Sequence, residues 1–188
     1  MTRRRPPRPW PRLPFRRGGA LTLILLAVLW ILVRGWQYQS QRAPPESLAE
    51  GEYRVERVVD GDTLLLTNGA RIRLIGADTP ETVKPHEPVQ PFGPEASDFT
   101  RTFVARGGGT VRLQFDRERV DKYGRFLAYV YVGDRMLNEE LIRAGLARAE
   151  TGFRYSPAVK ARFVLAQTEA QTARRGIWSV APARPGGL

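Results

Sequence analysis

"IRLIGADTPE", residues Ile72 to Glu81, begins as a strand and ends as something else. Alternation puts Ile72, Leu74 and Gly76 on one face and Arg73 and Ile75 on the other, the period-two pattern of a half-buried strand. Such a strand holds Arg73 firmly. Past Gly76 the apolar pattern stops, and Asp78, Thr79 and Glu81 crowd around Pro80. A cation inside the strand and two carboxylates just beyond it call for a common explanation.

The flanking sequence supplies the frame. Upstream, "EYRVERVVDGDTLLLTNGARIRLIG" contains three short strand patterns. Asp60-Gly61 separates the first two and Asn68-Gly69 the last two, both strong turn signals because these residues tolerate positive φ. Downstream, "GPEASDFTRTFVARG" reads as a helix with Pro94 in its first turn, Ala96, Phe99, Phe103 and Val104 at helical spacing, and Gly107 to Gly109 as its stop. "TVRLQF" and "RFLAYVYV" are two more strands around the polar turn "DRERVDKYG". "MLNEELIRAG" is a short helix. "SPAVKARFVLAQTEAQTARRG" is a longer one, with Val159, Phe163, Ala166 and Ala170 on one stripe. This order predicts a mainly β (α+β) domain, a five-stranded OB-type barrel with about three helices. No internal repeat is present.

The domain is expected over residues 50–180. Before it, residues 1–17 hold seven arginines and five prolines and are expected to be disordered. The run from Ala20 to Val33 carries no charge and leaves no polar face. With Gly18 and Gly19 before it and Arg34, Trp36 and Tyr38 after it, residues 18–38 read as a membrane-spanning signal anchor. That reading is favoured over a cleaved signal peptide because no A-x-A site follows. Seven arginines precede the segment and two follow it, which predicts a cytoplasmic N-terminus and an outward-facing domain, secreted if the segment is cleaved. Residues 39–49 read as a polar linker and 181–188 as a disordered tail.

The formal net charge is +11. Residues 1–49 carry nine arginines and one acid, so most of that charge lies in the N-terminal arm. The domain is only mildly basic, and any nucleic-acid affinity must come from local placement. Cysteine is absent and His86 is the single histidine. Disulfides, thiolate metal sites, cysteine nucleophiles and histidine-cluster zinc sites are thereby excluded. Chemistry is left to carboxylates, Arg, Lys and Tyr, with or without a hard metal ion.

Asp62 follows the D-G turn and Asp78 follows the third strand. With the Thr79 carbonyl they offer three oxygens of the kind Ca²⁺ takes, water completing the shell. By spacing alone these residues read first as ordinary turn chemistry. Glu81 can orient or deprotonate a water. Arg73 and Arg125 can grip a phosphate from two sides and stabilise the charge that develops on it. Lys122 can meet a neighbouring phosphate, and Tyr123 can hydrogen-bond it or pack against a base.

"VVDGDTLLL", "RLIGADTPE", "GPEA", "DKYGRFLAYVY", "NEELIRAGLA" and the terminal "GIW", in that order, resemble the staphylococcal nuclease (thermonuclease) family over nearly all of residues 52–179. The resemblance implies an OB-type barrel with three helices. It also implies Ca²⁺-dependent cleavage of the 5′ P–O bond in DNA and RNA, leaving 3′-phosphates. Carried over by position, it implies Arg73, Glu81 and Arg125 as catalytic residues, Asp62, Asp78 and Thr79 as calcium ligands, and Lys122 and Tyr123 as nucleotide-phosphate contacts. Single-stranded substrate and a monomer are expected.

The sequence departs from the family after "GLARA". Thr151 stands where nuclease members often carry an aromatic; Phe153, and Tyr155 if the loop is remodelled, are the expected base platforms. The proline-rich stretch Thr82 to Phe92 is expected to form a stiff flap with His86 exposed on it and no catalytic role. The competing reading is a non-catalytic nucleic-acid-binding barrel. A structural or interaction module of an envelope assembly is a further one. The presence of all five charged site residues favours the enzyme.

Overall fold

The computed structural model describes residues 24–31, 45–82 and 90–179. The chain divides near residue 44 into two units. In the first, residues 24–31 form a helix, α1, whose Ile24, Leu25, Leu26, Val28, Leu29, Trp30 and Ile31 are exposed. Among the described residues no helix is long and apolar enough to cross a membrane. The rest of the expected 18–38 anchor lies outside the described residues, as do residues 1–17 and 181–188 and the flap residues 83–89 with His86.

The second unit is a closed barrel. Its walls are β1 (Gly51–Asp60), β2 (Thr63–Leu66), β3 (Arg71–Leu74), β5 (Thr110–Gln114) and β6 (Phe126–Val132). β1 pairs antiparallel with β2 and β5, β2 with β3, and β5 with β6. The parallel pairing of β3 with β6, Ile72 opposite Phe126 and Leu74 opposite Ala128, closes the ring. Two register shifts in β1 mark bulges, which bend a strand enough to share it between two sides of a small barrel. Two-residue strands complete the sheet content: β4 (Ala77–Asp78) pairs with β8 (Arg148–Ala149), and β7 (Arg135–Met136) extends the β6 edge. The expected five-stranded barrel is present, and these short ladders are additions to it.

Three helices surround the barrel, α2 (Gly93–Arg106), α3 (Leu137–Arg143) and α4 (Pro157–Thr172), followed by a 3₁₀ turn at Gly176–Trp178. α2 has proline in its first turn and buries Ala96, Phe103 and Val104. Phe163, Ala166 and Ala170 form the buried stripe of α4. Burial also extends upstream of the expected boundary. Leu48, within the expected linker, is 5% exposed and its carbonyl accepts a hydrogen bond from Arg119. The packed domain therefore starts before Glu50.

One buried side chain pins the third strand to the rest. Asn138 on α3 accepts from the Val130 amide at 3.0 Å and donates to the carbonyls of Ile75 (2.9 Å) and Ala128 (3.1 Å). It bonds backbone groups on both sides of the β3–β6 seam, where the Ile75 amide also donates to the Ala128 carbonyl. Gly76 follows immediately. Its φ is +74°, and a Cβ there would lie 2.6 Å from the Tyr155 hydroxyl and 2.8 Å from the Phe163 ring. The chain can turn out of β3 at this point only without a side chain.

Asp116 ties the barrel to the segment before α4. One of its carboxylate oxygens accepts from the Tyr129 hydroxyl (2.7 Å) and the Ser156 amide (2.9 Å), the other from the Arg117 amide (2.7 Å). Partial burial pushes its carboxyl up, but these hydrogen bonds outweigh it and hold the group below the usual carboxylate range. A folded-state pKa below the unfolded value stabilises the fold at pH above the unfolded value, about 4, and that contribution is lost as pH falls through the folded value. Asp116→Asn is therefore expected to cost about 1–3 kcal/mol at pH 7 and less at pH 2–3. Urea melts of both proteins across that range check it; a pH-independent difference contradicts it.

Candidate active site

Asp62 sits in the turn between β1 and β2, and the turn is shaped by its neighbours. Asp60 accepts from the Gly61 amide (2.8 Å) and from the Thr82 hydroxyl (2.7 Å). Thr100 on α2 donates to the Gly61 carbonyl at 2.6 Å. A Cβ on Gly61 would come within 2.8 Å of both Ala96 and Thr79. The turn is thus pressed against α2 and against the loop leaving β3, which brings Asp62 beneath Thr79.

There Asp62 is buried and fully engaged. Its Oδ2 accepts from the Thr79 amide and the Thr79 hydroxyl, each at 2.9 Å, and its Oδ1 from Thr63 at 3.0 Å. Arg73 Nη1 lies 2.8 Å from the same Oδ2, and Arg73 Nη2 lies 2.8 Å from Oδ1 of Asp78. Nη1 also donates to the carbonyls of Leu74 and Ala77. One guanidinium therefore spans the two carboxylates that flank its strand. Its bonds to them come from Nη1 and Nη2, and among the described residues Nε–H has no partner.

Arg125 is held the other way round. Its Nε donates to Asp121 at 2.7 Å, and Asp121 also accepts the amides of Tyr123 and Arg125. Burial raises the Asp121 carboxyl, but these hydrogen bonds prevail and keep it below its ordinary range. Asp121 thus shapes the turn and orients the arginine at its end. Among the described residues, neither Nη group of Arg125 has a hydrogen-bond partner.

A cleft of about 480 Å³ collects these groups. Asp62, Arg73, Asp78, Glu81, Tyr123 and Arg125 line it, together with Asp60, Thr63, Val59 and Arg71. Glu81 is half-buried and its backbone is pinned by Gln90: the Glu81 amide donates to Gln90 Oε1 (3.2 Å) and the Gln90 amide to the Glu81 carbonyl (3.1 Å). Both ends of the proline-rich loop are therefore fastened at the rim of the cleft. Tyr123 is 71% exposed.

Not every expected residue reaches the cleft. Thr79 is buried against Asp62, and its described bonds hold that carboxylate. Lys122 is exposed beside Tyr123, its Nζ 5.0 Å from the ring, without lining the cleft. Phe153 is half-buried and packs against the core. Tyr155 corrects the expectation of a stacking platform. It is 3% exposed, lies in ring contact with Tyr129 and Phe163 at centroid distances of 6.4 and 6.0 Å, and donates its hydroxyl to the Glu150 carbonyl. Burial, and to a lesser degree Glu150, pushes its phenol up to about 12. A ring committed to the core cannot stack on a base.

Sequence reasoning passed over Asp60, Asp121, Gln90 and Arg71. Asp121 had a signal, since Asp three residues ahead of Gly is an Asx-turn pattern. Arg71 had one too, two residues from Arg73 and so on the same face. Gln90 had none, and the Asp-Gly signal at Asp60 marked the turn but not its distant contact with Thr82.

The donor set can be tested for a hard cation. Among the described residues no group of three or more acidic, histidine or cysteine side chains converges as a ready-made cage. Two carboxylates do converge, however, close enough to share one guanidinium. Burial pushes the Asp62 carboxyl up, and Arg73, Thr79 and Thr63 do not bring it back to its ordinary value. A cation beside a buried carboxylate favours its charged form. Hard oxygens, few in number and open to water on the Asp78 side, fit Ca²⁺.

Comparison with known proteins adds an independent line. Residues 71–180 match the family model described as staphylococcal nuclease homologue. The thermonuclease of Staphylococcus hyicus is 42% identical over 166 residues, covering 84% of this chain and 96% of that one. The thermonuclease of Staphylococcus intermedius is 45% identical with the same coverage. Endonuclease YncB of Bacillus subtilis (strain 168) is 41% identical over 131 residues, covering 66% of this chain and 60% of that one. With a family model matching over half its length and close relatives matching nearly end to end, this chain belongs to the staphylococcal nuclease family.

Proposed function

We propose that this protein is a Ca²⁺-dependent nuclease that hydrolyses phosphodiester bonds of DNA and RNA to 3′-phosphate products, with a preference for single strands. The observation that carries the reading is the cleft where Asp62, Arg73, Asp78, Glu81 and Arg125 meet. The family relationship supports phosphodiester hydrolysis as the reaction.

Asp62, Asp78 and the Thr79 carbonyl would hold the calcium ion. Bound there, it would supply Lewis acidity to a non-bridging phosphate oxygen and a template for the substrate. The remaining work falls to side chains. Glu81 takes a proton from the attacking water, whose oxygen forms a new bond to phosphorus. The bond from phosphorus to the 5′ oxygen breaks, that oxygen takes a proton from solvent water to leave as an alcohol, and Glu81 releases its proton to solvent. The products are a 3′-phosphate and a 5′-hydroxyl. Arg73, through Nε, and Arg125, through its Nη groups, donate to the equatorial oxygens as charge builds on them. Their carboxylate partners hold both in place beforehand, so little reorganisation accompanies the reaction. Tyr123, exposed at the rim, suits contact with an unpaired base or its phosphate.

An N-terminal membrane anchor, with the nuclease domain on the outer side and the chain otherwise monomeric, completes the proposal. It rests on the charge-free run from Ala20 to Val33, the arginine asymmetry around it and the exposed apolar side chains of α1. Residues 1–17 would then remain on the cytoplasmic side.

Glu81→Gln is expected to lower turnover on single-stranded DNA by about 10²–10⁴-fold, the scale of losing a general base, with an unchanged thermal melt. An unchanged rate would remove Glu81 from the mechanism. The anchor predicts that the full chain sediments with membranes and resists alkaline carbonate extraction. Recovery in the soluble fraction would contradict it.

A further inference from the structure

Arg71 stands apart from the other cations of the cleft. It opens β3, it is exposed, and it lines the same cleft as Arg73 two residues on. Residues two apart on a strand share a face, so both guanidiniums project from the same side of the barrel wall. The register adds a second neighbour. β3 and β6 run parallel with Ile72 opposite Phe126, which places Arg71 beside Arg125 just ahead of the first paired position. Adjacent strands are about 4.8 Å apart, so two arginines leave neighbouring strands at one edge of the cleft.

The three arginines differ in what they hold. Arg73 is bound to Asp62 and Asp78, and Arg125 to Asp121. Arg71 has no ion pair or hydrogen bond among the described residues, and the strand beside it offers Leu65, opposite it in β2, instead of a carboxylate. An exposed arginine that makes no ion pair among the described residues, set beside a guanidinium that Asp121 meets through Nε, is a weakly neutralised arrangement for the protein alone. It becomes favourable when an anion lies between or alongside the two. The position of that anion follows from the geometry. Asp78 and Glu81 leave the far end of β3, while Arg71 lies at its beginning, on the side of Arg125 and Tyr123. A strand whose scissile phosphate lies against Arg73 and Arg125 carries its next phosphate toward that edge.

We infer that Arg71 is a substrate-positioning residue that binds the phosphate adjacent to the scissile one, on the Tyr123 side of the cleft, and so lets the enzyme favour polynucleotide strands over isolated phosphodiesters. The inference rests on the nuclease reading of the cleft. Arg71 takes no part in proton transfer or in holding the metal; it adds one charge-assisted contact to the substrate backbone. Tyr155 being committed to the core gives this contact more weight, because backbone grip must replace some of the base stacking that the loop after Ala149 does not supply.

The test is binding, separate from turnover. Full-length protein carrying Glu81→Gln, alone or with Arg71→Ala or Arg71→Lys, is titrated against a fluorescently labelled single-stranded DNA decamer over a potassium chloride series. Circular dichroism melts check the fold of each. Arg71→Ala is expected to weaken binding by about five- to tenfold at low salt. The slope of log affinity against log salt is expected to become shallower by about 0.7, the value for one phosphate contact on a single strand. Arg71→Lys is expected to retain the slope and most of the affinity, since the contact is mainly one of charge. Equal affinity and slope in Arg71→Ala and its parent would overturn the inference, as would a Lys variant that behaves like the Ala variant. Failure of the nuclease reading shows elsewhere, as absence of cleavage by the protein with Glu81 intact.

Discussion

The ion pair between Asp62 and Arg73 is the constraint on which the cleft depends. Both side chains are more than nine-tenths buried and lie 2.8 Å apart. Taking two charges out of water costs several kcal/mol for each, and a pair of apolar residues in the same space would often be as stable or more so. The arrangement is therefore poor as a stabilising device and good as a positioning one. Removing one partner leaves the other charged and buried, at a cost of about 3–5 kcal/mol. That penalty locks the β1–β2 turn to β3. Through the same guanidinium it locks β3 to Asp78, and through Thr79 it locks the whole to the loop that carries Glu81. The β1–β2 turn and the stretch from Arg73 to Glu81 thus share one electrostatic junction.

The rest of the barrel keeps that junction in register. Asn138 satisfies the backbone where β3 and β6 separate, and Gly76 lets the chain leave the strand through a gap too narrow for a methyl group. Downstream of Gly76 the chain can only run across the mouth of the barrel, which is where Asp78 and Glu81 are needed. The opening stretch therefore reads as a sequence of constraints: a strand that holds Arg73, a glycine that turns the corner, and a loop that delivers carboxylates to the arginine's other side. The barrel closes by a parallel β3–β6 seam. That seam is also what brings Arg125, with its Asp121 support, against the same cleft.

The strands and main helices were legible because their signals are local. Alternation, the Asp-Gly and Asn-Gly turns and the proline at the start of α2 act within a few residues of themselves. The two-residue ladders were not legible, since β4 and β8 pair only because the core has already brought Asp78 and Arg148 together. Leu48 was misassigned to the linker for a similar reason: one apolar residue in a polar stretch carries no period. In the site, the charged residues that line the cleft were legible from residue type and order, and the contacts that support them were not. Nothing in "ETGFRY" says which aromatic turns inward. Tyr155 does so because Gly76 leaves room for its hydroxyl end, a fact written seventy-nine positions earlier in the chain. Gln90 and Asp60 likewise act across distances that sequence patterns do not encode.

The central claim is that two carboxylates gathered by Arg73 form a calcium site on which hydrolysis depends. The most direct measurement is cleavage of single-stranded DNA by the solubilised full chain across a calcium titration, with a chelator control and with Asp62→Asn beside the wild type. The account predicts no cleavage in chelator, saturable activation by Ca²⁺, and an activation midpoint displaced to higher calcium in the Asp62→Asn protein. Cleavage that persists in chelator, or a midpoint unmoved by the substitution in a folded protein, would contradict it.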